Sequence, residues 1–263
     1  MKTSENQYLK YPQMEANYFE DQGHTLIQYF EAFSATITQS FYVLDVQQEK
    51  FCFIKPDDFF LCGFSVEDAQ REGYDFYSKI VFPKDLSLWI NMLNAILKYM
   101  KGSEEKWNKI DHFSCTFRLQ RSYSFLPKRT MPQMVYHRIK PVSHDDKLRY
   151  LICSVGSSTK KESGNLRMFT NDGLTYEEFS FISNRWKQKT KHQLTERERA
   201  ILMLAQQGKN SKEIANALCK GHNTIRNQIK PLFSKLNVHS MQEAIEYAYY
   251  HSLISFKQDV IND

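Results

Sequence analysis

Between Leu194 and Val238 the chain carries start and stop signals for three helices so closely spaced that only tight turns can join them. Thr195 with Glu198 three residues on is a capping box, so a helix begins there. Ile201, Leu204 and Ala205, with Leu202 beside them, give that helix one apolar stripe. Gly208 is the expected stop, because glycine takes the left-handed turn beyond a helix without steric cost. Asn210 and Glu213 repeat the start signal, and Ile214, Ala215 and Leu218 face inward from a helix of about two turns. Cys219 to Asn223 form a short turn into a third helix, with Ile225, Ile229, Leu232 and Leu236 on its buried side. Helix, tight turn and second helix describe a helix-turn-helix, whose second helix is sized for a major groove.

Charge agrees with that geometry. From Lys187 to His239 the basic residues outnumber the acids by about eight, whereas the whole chain has a net charge of +5. The remainder is therefore slightly acidic, and the basicity is local, as a phosphate-binding module requires.

In its motifs this segment resembles the LuxR-type (NarL/FixJ-like) DNA-binding domain. Leu194 to Glu198 match the opening Leu-Thr-x-Arg-Glu. Lys212 to Ala215 match Lys-Glu-Ile-Ala, Thr224-Ile225-Arg226 stand for Thr-Val-Lys, Lys235 to Val238 match Lys-Leu-x-Val, and Glu243-Ala244 close the pattern. The resemblance implies that Arg226, Asn227 and Lys230 reach base edges, and that Ser211, Lys212 and Thr224 meet phosphates. Arginine and lysine suit the O6/N7 edge of guanine and asparagine the N6/N7 edge of adenine. Three positions depart from the pattern. Lys220-Gly221 replace an apolar residue and a serine, Gln228 replaces a common histidine, and Pro231 falls inside the recognition helix. That proline removes the amide bond back to Asn227 and predicts a kink. Ser240 to Tyr250 form a last helix with Ala244, Ile245, Ala248 and Tyr249 at helical spacing; in relatives it commonly forms a dimer contact, and packing on its own domain uses the same residues.

The rest of the chain reads differently. Residues 1–24 are a polar leader. Thr25 to Gln39 place Leu26, Tyr29, Phe30, Phe33 and Ile37 on one face of a helix. The period then changes: Phe41 to Val46 and Phe51 to Ile54 read as a hairpin. Helical signals follow at Asp57 to Phe64, at Ser65 to Ala69 and along Leu86 to Met100, with Pro83 suited to the first turn of the last. Three further strands are expected at Phe113–Arg121, Met134–Val142 and Arg149–Val155, separated by turn-rich segments that include Pro127-Lys128-Arg129. This order, together with Cys62-Gly63-Phe64-Ser65-Val66-Glu67-Asp68 and Phe82-Pro83-Lys84-Asp85, resembles a PAS domain. The resemblance implies a five-stranded antiparallel sheet with helices across one face, spanning residues 25–157. Residues 158–190 read as a connector, helical over Glu177 to Trp186, residues 191–255 as the helix-turn-helix domain, and residues 256–263 as a tail.

The chemistry in the sequence argues against catalysis. There is no Gly-x-Ser-x-Gly, no phosphate-cradling glycine loop and no His-Glu-x-x-His. The five cysteines are scattered and never at Cys-x-x-Cys spacing, so neither a disulfide framework nor a zinc site is expected. No apolar run reaches the length of a membrane span and no signal peptide is evident, which predicts a cytoplasmic protein. The expectation is an α+β PAS-like domain controlling an all-α helix-turn-helix domain in a transcription regulator. Double-stranded promoter DNA is the expected partner, with a homodimer, RNA polymerase and a small-molecule signal as further candidates. No metal or cofactor is identifiable, although a small ligand could occupy the PAS-like core. The alternatives are an N-terminal domain serving only dimerisation or protein contacts, and an N-terminal enzyme tethered to DNA.

Overall fold

A computed structural model of the protein describes residues 22–101, 109–123, 126–144, 147–171, 175–251 and 253–254. The chain divides into two compact units, residues 1–38 and 39–263. In the first, helix α1 spans Gln22–Thr36, ending three residues before the end of the stretch expected from the sequence. Near its end the Ser34 and Thr36 hydroxyls donate back to the Glu31 and Phe33 carbonyls, at 2.8 and 2.7 Å. Back-bonding of this kind competes with the regular helical ladder. The leader up to residue 21 and the tail from residue 255 lie outside the described residues.

The second unit begins with the expected hairpin, β1 (Ser40–Asp45) and β2 (Lys50–Ile54). Its turn is built by the Asp45 carboxylate, which accepts from the Gln47 and Gln48 amides at 2.9 and 3.0 Å. Four helices follow: α2 (Asp58–Leu61), α3 (Val66–Glu72), α4 (Tyr77–Ile80) and α5 (Pro83–Met100). Asp57 caps α2, Ser65 and Asp68 form a capping box on α3, and Pro83 occupies the start of α5. Gly73 closes α3 with φ +58°, and a Cβ there would stand 2.6 Å from the Glu49 carbonyl. Only glycine permits that approach of the helix end to the hairpin turn.

The sheet has eight strands, not five. After β3 (Ile110–Tyr123), β4 (Leu126–His144) and β5 (Lys147–Ser157), the chain adds β6 (Gly164–Thr170), β7 (Thr175–Ser180) and β8 (Arg185–Thr190). The strand order is β2-β1-β5-β4-β3-β6-β7-β8, and every pairing is antiparallel. The connector expected to be helical over Glu177 to Trp186 is therefore a hairpin. It is held because Phe179 and Trp186, paired across β7 and β8, turn their rings to the same side, with centroids 5.2 Å apart. Trp186 also meets Tyr99 of α5 edge-on at 5.3 Å. Asn184 supplies the left-handed residue of the turn, with φ 52°. Pro127-Lys128-Arg129, expected in a turn, lie inside β4.

Helices α2 to α5 cover one face of this sheet. Trp89, Met92 and Ile96 of α5 are buried with Phe113 and Phe117 of β3 and Val135 and Ile139 of β4. Strand alternation directs Ser114, Thr116, Tyr136, Arg167 and Tyr176 to the opposite face. One polar cluster is built into the covered side and a second sits at the start of α5, against β3. Tyr42 hydroxyl lies 2.6 Å from His137 Nε2 and 2.7 Å from the Tyr77 hydroxyl, all deeply buried. Burial pushes the His137 imidazole down to about 3, so it is held neutral. At the start of α5 the buried Asp85 carboxylate accepts from the Arg118 amide at 2.8 Å, from Arg118 Nε at 2.9 Å and from the Ser163 hydroxyl at 2.5 Å. Burial opposes that charge, yet the Arg118 and Ser163 bonds hold the carboxyl below its usual range.

Candidate nucleic-acid interface

Among the described residues four helices follow the sheet: α6 (Glu196–Gln206), α7 (Ser211–Ala217), α8 (His222–Leu236) and α9 (Met241–Tyr250). The start signals read from sequence are made as written. Thr195 and Glu198, and Asn210 and Glu213, form reciprocal capping boxes on α6 and α7. Burial works against the Glu198 carboxylate, but the Lys235 ammonium at 2.6 Å and the Thr195 amide hold it below its usual range. That ion pair fastens the first turn of α6 to the last turn of α8.

The stops are equally local. Gly208 has φ +83°; its amide donates to the Ala205 carbonyl at 2.9 Å, and the Lys209 amide to the Leu204 carbonyl at 3.2 Å. This is a Schellman stop. The same pair of bonds ends α7, with Cys219 in the left-handed conformation at φ 48°. That short turn sets the angle between α7 and α8. Gly221 is the N-cap of α8 and makes no side-chain cap bond. The helix continues through Pro231 to Leu236.

Packing decides which side of α8 is available. Ile225, Leu232 and Leu236 are buried with Ile201 and Leu202 of α6, Ile214 and Ala215 of α7 and Ala244 of α9. Arg226, Asn227 and Lys230 are exposed, as are Thr224 at the helix start and Lys212 on α7. Ser211 differs from the other candidates: it is half-buried, and its hydroxyl lies 2.9 Å from His222 Nε2, joining the first turns of α7 and α8. Five of the six candidate residues thus lie on the solvent side, while the sixth takes part in the joint between the two helices.

Helix α9 has two sets of contacts. Ala244, Tyr247 and Ala248 are buried in the helical module, with Ile245 packed against them. Glu246 and Tyr250 instead meet the uncovered face of the sheet. The Glu246 carboxylate accepts from the Ser158 hydroxyl and the Thr159 amide, both at 2.9 Å, and from the Thr159 hydroxyl. The Tyr250 hydroxyl donates to the Ser157 carbonyl at 2.8 Å, and its ring stacks on Tyr136 with centroids 3.5 Å apart. Sequence reasoning weighed a dimer contact against packing on the module and missed the sheet contact. Its partners are about ninety residues apart, and no local spacing links them.

Among the described residues no group of three or more His, Cys, Asp and Glu side chains is placed to hold a metal ion, and no helix is long and apolar enough to cross a membrane.

Residues 192–248 match the luxR family of bacterial regulatory proteins. The response regulator protein VraR of Staphylococcus saprophyticus is 38% identical over 75 residues, which make up 28% of this chain and 36% of that protein. VraR of Staphylococcus aureus is 37% identical over 75 residues, with the same coverage. The chain thus spans little more than a third of the length of these curated relatives. Among solved structures, a phage VqmA–DPO complex covers 92% of this chain and 94% of its own at 13% identity, with a TM-score of 0.29. The Vibrio cholerae VqmA dimer without target DNA covers 86% and 88% at 14% identity, with a TM-score of 0.30. Superposition scores at that level do not equate the folds. The helical module, with its capped α6 and α7, its short turn and its exposed α8 face, is a LuxR-type helix-turn-helix domain.

Proposed function

We propose that this protein is a sequence-specific DNA-binding transcription regulator, in which α8 lies in the major groove of promoter DNA. The observation that carries this reading is the division of α8 into a buried face and a solvent face bearing Arg226, Asn227 and Lys230. Arg226 and Lys230 reach guanine edges, Asn227 an adenine edge, and Lys212 and Thr224 hold the flanking phosphates. Ser211 assists by bracing α7 against α8. Selection of a binding duplex from a random pool, followed by titration of Arg226→Ala on it, tests the assignment. The variant loses about 1–3 kcal/mol of affinity if Arg226 reads a base; unchanged affinity removes that role.

The sheet half acts as the controlling domain. Strands β1 to β5 and helices α2 to α5 support the PAS-like reading: five contiguous antiparallel strands, with the helices inserted between β2 and β3 and packed on one face. Control passes through α9, which is shared between the DNA-binding module and the sheet. If α9 is the dimer helix, as the family resemblance suggests, dimerisation through the face carrying Glu246 and Tyr250 requires release of the sheet. A state that favours one arrangement of α9 over the other then changes DNA affinity by the same differential free energy. A second reading, in which the sheet half serves protein contacts alone, draws support from the covered side of the sheet, where Trp89, Phe60, Phe117 and Tyr42 fill the interior. The oligomeric state with and without the selected duplex separates the two uses of α9.

A further inference from the structure

We propose that the crevice where the end of α9 meets the uncovered face of the sheet binds a small anion, a phosphate or carboxylate group held between Lys160, Arg167 and His251. The crevice is partly open to solvent, and its lining contains no carboxylate. The argument begins with hydrogen-bond direction. Arg167 Nη1 lies 3.0 Å from His251 Nε2, and a guanidinium can only donate. Nε2 is therefore the accepting nitrogen, which places the ring proton on Nδ1. His251 is only 3% exposed, and its Nδ1 has no partner among the described residues. A buried N–H without an acceptor is unfavourable, and such groups ordinarily find one.

The surroundings supply more donors and no free acceptor of matching charge. Lys160 has no hydrogen bond or ion pair to its ammonium among the described residues; that group stands 5.9 Å from the Tyr247 ring centre. The nearby acids are already engaged, Glu178 with Arg167 at 3.0 Å and Glu246 with Ser158 and Thr159. Asn165 gives its amide to Thr116 at 2.9 Å. Burial first, then the charges of Arg167 and Lys160, holds His251 down to about 2, so the ring meets the crevice as a neutral donor. An incoming oxyanion would accept from His251 Nδ1 and Lys160 Nζ and offset the cation left beside the apolar walls. Because Lys160 follows β5, Arg167 is on β6 and His251 ends α9, one anion would join the sheet to the helical module.

This inference does not depend on DNA binding and is tested without DNA. The full chain is melted in increasing sodium phosphate or sodium acetate, at ionic strength matched with sodium chloride, alongside Lys160→Gln and His251→Phe. The phenyl ring keeps the stack on Tyr247 and removes the donor. A saturable rise in melting temperature with phosphate or with acetate is expected, and which anion produces it identifies the head group. Each variant should weaken the apparent affinity at least tenfold while retaining the far-UV spectrum of the parent. A rise that is absent with both anions, or the same size in Lys160→Gln as in the parent, overturns the proposal.

Discussion

The helical module and the sheet half place their buried polar groups differently. The module between Thr195 and Ile254 is organised by caps at its surface, and its interior is made almost wholly of aliphatic and aromatic side chains. The sheet half encloses the Tyr42–Tyr77–His137 cluster and buries the Asp85 carboxylate against Arg118 and Ser163. A cap is a local interaction worth about 1 kcal/mol. A buried charge or imidazole depends on partners distant in sequence, and losing one partner leaves an uncompensated group. The module should therefore tolerate single polar changes that the sheet half does not.

The largest expected effect is at Asp85. Asp85→Ala takes a buried acceptor from the Arg118 amide, the Ser163 hydroxyl and a guanidinium that still reaches solvent, and should destabilise the sheet half by about 1.5–3 kcal/mol. Urea unfolding followed by tryptophan emission reads this directly, because Trp89, Trp107 and Trp186 all precede the helical module. A loss below about 1 kcal/mol would break the contrast.

Acid comes next. His137 and His251 are held at about 3 and about 2 in the folded protein, against an ordinary value near 6.5. The unfolded chain therefore binds more protons below that ordinary value, so these groups make stability fall as the pH drops from about 6.5 toward 3. Each imidazole contributes a slope of up to about 1.4 kcal/mol per pH unit. His137→Phe should flatten the profile measured between pH 6.5 and 5; an unchanged slope would place the titrating groups elsewhere.

The smallest effect is in the module and has the opposite sign. Cys219 is an exposed residue in the left-handed conformation at the end of α7, a geometry that glycine adopts without strain. Cys219→Gly should stabilise the protein by up to about 1 kcal/mol, read as an increase in urea midpoint followed by far-UV circular dichroism.

The same contrast explains what the sequence could disclose. Thr195 and Glu198, Asn210 and Glu213, and Gly208 state the ends of α6 and α7 within a few residues of one another, so the module is legible from its sequence. In the sheet half, the β1–β2 hairpin and the long α5 are also legible from short-range pattern. Strands β7 and β8 are not, because Glu177 and Glu178 interrupt any simple alternation. Their hairpin depends on Trp186, packed on Phe179, reaching Tyr99 and Phe113 in space. The signal available was the aromatic pair flanking Ser183-Asn184. The docking of Glu246 and Tyr250 on Ser157 to Thr159, and the crevice between Lys160, Arg167 and His251, leave no mark that a local reading can detect. Of the proposed DNA contacts, the exposure of Arg226, Asn227 and Lys230 follows from the helical period of α8, whereas the Ser211–His222 bond does not.

The central claim is that the exposed face of α8 reads DNA, and the direct measurement is the affinity of the full chain for its selected duplex across a range of salt concentrations. The account predicts that log Kd rises linearly with log salt, as counterion release from several phosphate contacts requires, and that Lys212→Gln lowers the slope by about one. It also predicts that Arg226→Ala weakens binding to that duplex while leaving binding to an unrelated sequence much less affected. Salt-independent binding, or equal loss on both duplexes, would contradict it.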